Sequence, residues 1–126
     1  MMLTPLILAM AASTPMAAAQ SASAPMACRA NALDKVQRQR QQVLLDKVRR
    51  TVVAKHELPD GIALTLPAGP AVFMELAEWV SLERRCCPFL AFALEWKQDD
   101  SVSVRLTGQP GAREFIAAEM GIVLER

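Results

Sequence analysis

The sequence predicts an α+β domain of two layers: a four-stranded, largely antiparallel sheet with helices on one face, in the order α-β-β-α-β-β-α. Three observations carry this. Two stretches alternate apolar and polar residues on either side of a turn sequence, the mark of a hairpin with one buried face. The stretches flanking the hairpins place apolar residues at three- and four-residue steps, the helical period. Breaks at Pro67-Ala68-Gly69-Pro70 and Gly108-Gln109-Pro110-Gly111 separate the two periods.

The chain opens on Met1 to Ala27, which has no charged side chain. Leu3 to Ala12 is an apolar run too short to span a bilayer. Ala17-Ala18-Ala19 supplies a small-x-small cleavage site. Residues 1–19 therefore read as a signal peptide, although no Lys or Arg precedes the apolar run. That assigns the mature chain to the periplasm or the exterior; without cleavage and export the compartment is the cytoplasm. Residues 20–32 read as a flexible linker carrying Cys28, and residues 33–126 as a single domain.

Leu33 to Arg50 reads as a surface helix, with Leu33, Val36, Val43, Leu44 and Val48 near one face. Thr51 to Glu57 is rich in β-branched residues and reads as a strand. Leu58-Pro59-Asp60-Gly61 turns it into a second strand, in which Ile62, Leu64 and Leu66 alternate with Ala63 and Thr65. From Ala71 the period is helical again: Val72, Phe73, Leu76, Trp79 and Val80 form the apolar stripe, with Glu75, Glu78 and Glu83 mostly off it. After Pro88 a second hairpin follows. Leu90, Phe92, Leu94 and Trp96 share one face, Gln98-Asp99-Asp100-Ser101 turns, and Val102, Val104 and Leu106 return. Ala112 to Leu124 reads as the last helix, with Phe115, Ile116, Met120 and Val123 inward.

Composition excludes several functions. With 126 residues, 52% of them hydrophobic and 21% charged, the chain is globular. A net charge of +1 and the absence of Tyr give no electrostatic footprint or stacking platform for nucleic acid. No stable membrane span is expected in the mature chain. A Gly-rich phosphate loop and a Ser/His/Asp set are both missing.

What remains is thiol chemistry at Glu83-Arg84-Arg85-Cys86-Cys87-Pro88-Phe89, where a helical pattern meets a strand pattern. Pro88 disfavours helical geometry at Cys87, so the helix ends near Cys86. Adjacent Cα atoms lie about 3.8 Å apart, closer than ordinary disulfides allow. Two free thiols are therefore expected unless one pairs with Cys28. A helix C-terminus opposes thiolate formation, which argues against a fast thioredoxin-like nucleophile. A coordinating metal deprotonates thiols outright. Thiolates select soft ions, so Cu(I), Hg(II) or As(III) fit Cys86 and Cys87, with Cys28 as a third sulfur. Glu83, Arg84 and Arg85 are candidates to support the ligands. Zn(II) suits less well: Cys28, Cys86, Cys87 and His56 make four ligands on paper, but adjacent cysteines bite awkwardly at a tetrahedral site.

The leading expectation is thus a small exported protein that binds a soft metal or metalloid ion through a vicinal cysteine pair. One alternative is a thiol-dependent redox protein or enzyme, with Glu83 or an arginine tuning a thiol. Another is a non-catalytic interaction module with structural cysteines.

The segment Glu83-Arg84-Arg85-Cys86-Cys87-Pro88-Phe89-Leu90-Ala91-Phe92-Ala93-Leu94, followed by Leu106-Thr107-Gly108 and Gly111, resembles a group of small, largely uncharacterised bacterial proteins. Their core reads E-R-x-C-C-P-F-x-x-F-x-L and then L-T-G-x-x-G, with an early Cys that Cys28 matches. The resemblance covers about residues 28 to 120 and implies a heavy-metal or stress setting, without an established activity. It carries over Cys28, Glu83, Cys86 and Cys87. Those proteins are mostly cytoplasmic, and the leader departs from them.

Overall fold

A computed structural model describes residues 26–29 and 31–125. The expected signal peptide and the first part of the expected linker lie outside the described residues. Helix α1 spans Lys35–Thr51, strand β1 Ala54–Leu58, β2 Gly61–Leu66, helix α2 Pro70–Cys86, β3 Leu90–Trp96, β4 Val102–Gly108 and helix α3 Ala112–Met120. The predicted class and element order hold. The sheet order is β1-β2-β4-β3, and every neighbouring pair is antiparallel.

The sheet has one buried face. Ile62, Leu64 and Leu66 stand beside Leu106, Val104 and Val102 in register, and all six are buried. The intervening Ala63, Thr65 and Arg105 face away from the helices. Trp79 of α2 is fully enclosed above this layer, edge-on to Phe92 of β3 with ring centroids 6.4 Å apart. Ile116, Ala117 and Met120 of α3 enter the same core.

Local signals set the helix ends. Asp34 caps α1: its Oδ1 accepts from Gln37 N–H at 2.8 Å, and Gln37 Oε1 accepts from Asp34 N–H at 3.1 Å. At the other end the Thr51 hydroxyl donates to the Lys47 carbonyl at 2.7 Å, so the helix takes in Thr51 and β1 starts only at Ala54. Pro70 begins α2, where its missing N–H costs no helical bond. Cys87 leaves the helix at φ −119°, ψ 67°, as Pro88 requires. Gly121, at φ 67°, stops α3, and the Ile122 N–H closes on the Ala117 carbonyl at 2.8 Å. Helix α3 is therefore shorter than the expected span to Leu124, and Val123 is exposed rather than inward.

Two more expectations fail for one reason. Helix α1 does not bury Val36 and Val43, which are 74% and 55% exposed; it buries Gln41, Leu44, Leu45 and Val48. Glu83 is not off the α2 stripe but completely buried. Gln41 and Glu83 face each other across the α1–α2 interface, and their hydrogen bond rotates α1 so that a polar residue points inward. The outer edges of that interface carry Arg40–Glu78 and Lys47–Glu75 ion pairs at 2.7 and 2.6 Å, which fix helix register more than they add stability.

The hairpin between β1 and β2 has the least room. A Cβ on Gly61 would lie 1.8 Å from the Leu106 carbonyl oxygen of β4. Gly61→Ala must therefore push β2 and β4 apart, and we expect it to cost about 2–3 kcal/mol. Gly121→Ala meets nothing within 4 Å, and only its left-handed backbone opposes the change. We expect that variant to cost about 1 kcal/mol. Urea denaturation of both variants, read as a shift in midpoint at constant slope, checks the ranking.

Candidate functional site

The site forms where four segments converge: residues 26–29, the middle of α1, the last turn of α2 and the last turn of α3. Met26 packs against the core. The Arg29 N–H donates to the Cys86 carbonyl at 3.0 Å, and the Arg85 guanidinium donates to the Ala32 carbonyl at 2.8 Å. These bonds hold the Cys28 segment across the end of α2. Arg85 therefore acts by positioning that segment. Arg84 lines a shallow recess with Val80, Pro88 and Leu90 on the β3 side of the helix.

The sulfurs do not group as the sequence suggests. Cys86 and Cys87 are adjacent in the chain, but their side chains separate because the helix ends between them. Cys86 Sγ turns to Gln41 Oε1 at 3.8 Å. Cys87 Sγ turns to Cys28 Sγ at 3.5 Å and to Glu83 Oε1 at 3.5 Å. The thiol pair is thus Cys28 with Cys87, and the expected vicinal pairing of Cys86 with Cys87 is replaced by a long-range one. None of the three cysteines is joined in a disulfide. Cys28 is exposed, Cys87 is fully enclosed, and Cys86 is nearly so. His56 lies on β1 opposite Ala63, and no described metal-ligand grouping includes it.

Two carboxyl groups complete the site. Glu83 accepts the Gln41 amide N–H on Oε2 at 2.7 Å and the Cys87 thiol on Oε1. Its charge also bears on Glu119 of α3. Glu119 has a ligand oxygen within 4.8 Å of both Cys28 Sγ and Cys87 Sγ. Reading the sequence alone missed Glu119 and Gln41. The signal was present: Gln41 is three residues before Leu44, and Glu119 is three residues after Ile116, so each is in phase with a buried stripe.

The electrostatics of the site follow from burial. Desolvation pushes all three thiols above the ordinary cysteine range. Cys87 rises furthest, with the Glu83 charge adding to the effect of burial. The contacts of Cys28 with Cys87 and of Cys86 with Gln41 pull the other two partly back. Glu119 is pushed up to about 8, first by burial and then by its hydrogen bond to and repulsion from Glu83, against a smaller opposing pull from Arg49. At neutral pH the site is therefore a set of protonated thiols and a protonated carboxyl, not a preformed thiolate. No protein-family model, curated protein or solved structure matches the chain.

The raised Glu119 pKa has a consequence for stability. The folded state holds this proton more tightly than the unfolded chain, whose glutamates titrate near 4.5. The resulting stabilisation is complete below about pH 4.5 and is lost as pH rises toward about 8. The groups facing Glu119 are Glu83, Arg49, Cys28 and Cys87. Glu119→Gln should flatten the decline in urea midpoint between pH 5 and pH 8. An equal decline in the variant would place its origin elsewhere.

Proposed function

We propose that the protein binds a thiophilic metal ion between Cys28 and Cys87, with Glu119 as the third donor. The supporting observation is that one ligand atom from each residue, drawn from three separate segments, falls within a 4.8 Å circle. Two thiolates bonded at about 2.3 Å to one tetrahedral ion lie roughly 3.8 Å apart, close to the 3.5 Å between these sulfurs. A linear two-coordinate ion needs a separation of about 4.6 Å at the same bond length, so the sulfurs would have to part. The arrangement favours a bent, three- or four-coordinate centre.

This changes the ranking of ions. Zn(II) suited poorly while adjacent cysteines were its ligands. With Cys28 and Cys87 as the ligands, the bite is ordinary, and two sulfurs, a carboxylate oxygen and a water supply four donors of kinds that zinc accepts. Cu(I) and Hg(II) use the same sulfurs with less need of Glu119. As(III) would depend on a third sulfur, and Cys86 faces Gln41 instead. Before an ion enters, Glu83 aims Cys87 through the thiol proton, and Gln41 holds Glu83 in place. The resemblance to the E-R-x-C-C-P-F proteins carries over Cys28, Cys87 and Glu83 at this site; it also carries over Cys86, which packs beside it, and does not reach Glu119. The leader sequence supports export.

Titration of the reduced protein with Zn(II), Cu(I) and Hg(II) tests the reading. A thiolate-to-metal charge-transfer band, or for Zn(II) proton release by calorimetry, should appear at one equivalent. Cys28→Ser and Cys87→Ser should abolish it and Cys86→Ser should keep it. Glu119→Gln should weaken Zn(II) about tenfold and leave Hg(II) nearly unchanged. Because Cys28, Cys87 and Glu119 all bind protons more tightly than usual, affinity should climb with pH through neutrality. Absence of binding by any of the three ions would overturn the proposal.

A further inference from the structure

We infer that Cys28 and Cys87 are also a thiol–disulfide exchange couple, in which Cys28 attacks a small anionic disulfide and Cys87 resolves the mixed disulfide. The inference uses the same sulfurs as the metal site but requires no metal. It rests on an asymmetry of access. Cys28 is exposed, whereas Cys87 is fully enclosed and 3.5 Å away. A soluble disulfide can reach Cys28, and Cys87 can reach only what is attached to Cys28. Bond formation brings the sulfurs from 3.5 Å to about 2.0 Å, a closure of roughly 1.5 Å. Cys28 lies outside the helices, on a segment anchored one residue later by Arg29, so the closure falls on its side-chain rotation. Cys86 lines the same cavity as Cys28, but its Sγ faces Gln41 Oε1 rather than another sulfur.

The substrate class comes from the surroundings of Cys28. A cavity of about 210 Å³ opens beside it, lined by Arg29, Arg38, Gln41 and Glu119 among others. Two arginines and a single acidic residue line it. The balance favours carboxylated disulfides over cationic ones.

Atoms and electrons balance as follows. The Cys28 sulfur attacks one sulfur of RS–SR; the S–S bond breaks, the Cys28–SR bond forms, and the Cys28 proton leaves on the released RSH. The Cys87 sulfur then attacks the Cys28 sulfur; the Cys28–SR bond breaks, the Cys28–Cys87 bond forms, and the Cys87 proton leaves on the second RSH. The external disulfide is reduced by two electrons, and the protein dithiol is oxidised by two. The first step is bimolecular. The second joins sulfurs already held together and is faster, so the mixed disulfide should not accumulate. The oxidised couple can no longer clasp an ion.

The experiment uses the reduced, metal-free protein with glutathione disulfide as the probe, quenched in acid over time and followed by intact mass and cysteine mapping. Wild type should yield a Cys28–Cys87 disulfide, free Cys86 and no persistent glutathione adduct. Cys87→Ser should trap the adduct on Cys28. Cys28→Ser, a change at an exposed position, should slow all reaction by at least about tenfold. Cys86→Ser should behave as wild type and serves as the folding control. Cystamine, a cationic disulfide, should react several-fold more slowly than glutathione disulfide. A persistent adduct in wild type, a bond that includes Cys86, or a Cys28→Ser variant as fast as wild type would overturn the couple. Equal rates with cystamine would overturn the anionic substrate class. Since no ion is added, failure here leaves the metal titration intact, and failure of the titration leaves this result intact.

Discussion

The interaction on which the site depends is the burial of the Glu83 carboxyl. A buried acid without partners is severely penalised by lost hydration. Glu83 has three: the Gln41 amide, the Cys87 thiol and the Glu119 carboxyl. Each comes from a different element or a different side of α2, and each is fixed in place by satisfying Glu83. The hydrogen bond to Gln41 sets the rotation of α1 on α2. The hydrogen bond to Cys87 aims that sulfur away from Cys86. Glu119 brings the end of α3 to the same point, within 4.8 Å of the Cys28 and Cys87 sulfurs. Remove this carboxyl, and three segments lose their common anchor.

The chain break at Cys87-Pro88 supplies the second constraint. Proline ends α2 between two adjacent cysteines, so they inherit different directions. Cys86 keeps the helical direction, toward α1. Cys87 takes the first non-helical direction, toward residues 26–29. A pair that looks bidentate in the sequence is thereby split between a packing role and a reactive one. The Cys28 segment reaches Cys87 only because Arg29 and Arg85 tie it to the end of the same helix. The arginines of the corner thus act on backbone geometry more than on thiol charge.

Much of the fold was legible because the two hairpins and α2 obey clean periods. Alternation over Ile62–Leu66, Leu90–Trp96 and Val102–Leu106 put the correct residues on the buried face, although Trp96 at the sheet end stays 44% exposed. The misreadings share a physical origin. The sequence reading places Glu83 mostly off the α2 stripe and passes over Gln41 and Glu119, yet all three lie in phase with buried stripes. Val36 and Val43, placed near the apolar face of α1 by approximate three- and four-residue steps, lie at its edge and are exposed. A period reports position. Polarity reports only the isolated side chain, and it misleads where polar groups satisfy one another inside. Spacing alone could not choose Cys87 over Cys86 as the partner of Cys28, since α1, the β1–β2 hairpin and α2 lie between them in the chain.

The same physics limits what the thiols can do. A site built for rapid nucleophilic attack lowers its thiol pKa, commonly with a helix N-terminus or a cation at contact. Here the helix dipole points the wrong way, and the nearest charged neighbours of Cys87 are acids. Such a site holds protons until something more attractive arrives. A thiophilic cation is one such agent: it displaces the protons and is repaid by two thiolates and a carboxylate. A disulfide is another, because exchange replaces each S–H by a covalent bond and hands the proton to the departing thiol. Both events neutralise sulfurs that the surrounding acids would not tolerate as free anions. The buried acids therefore do not contradict thiol function at this corner. They select against the free thiolate and favour states in which the sulfur is bonded.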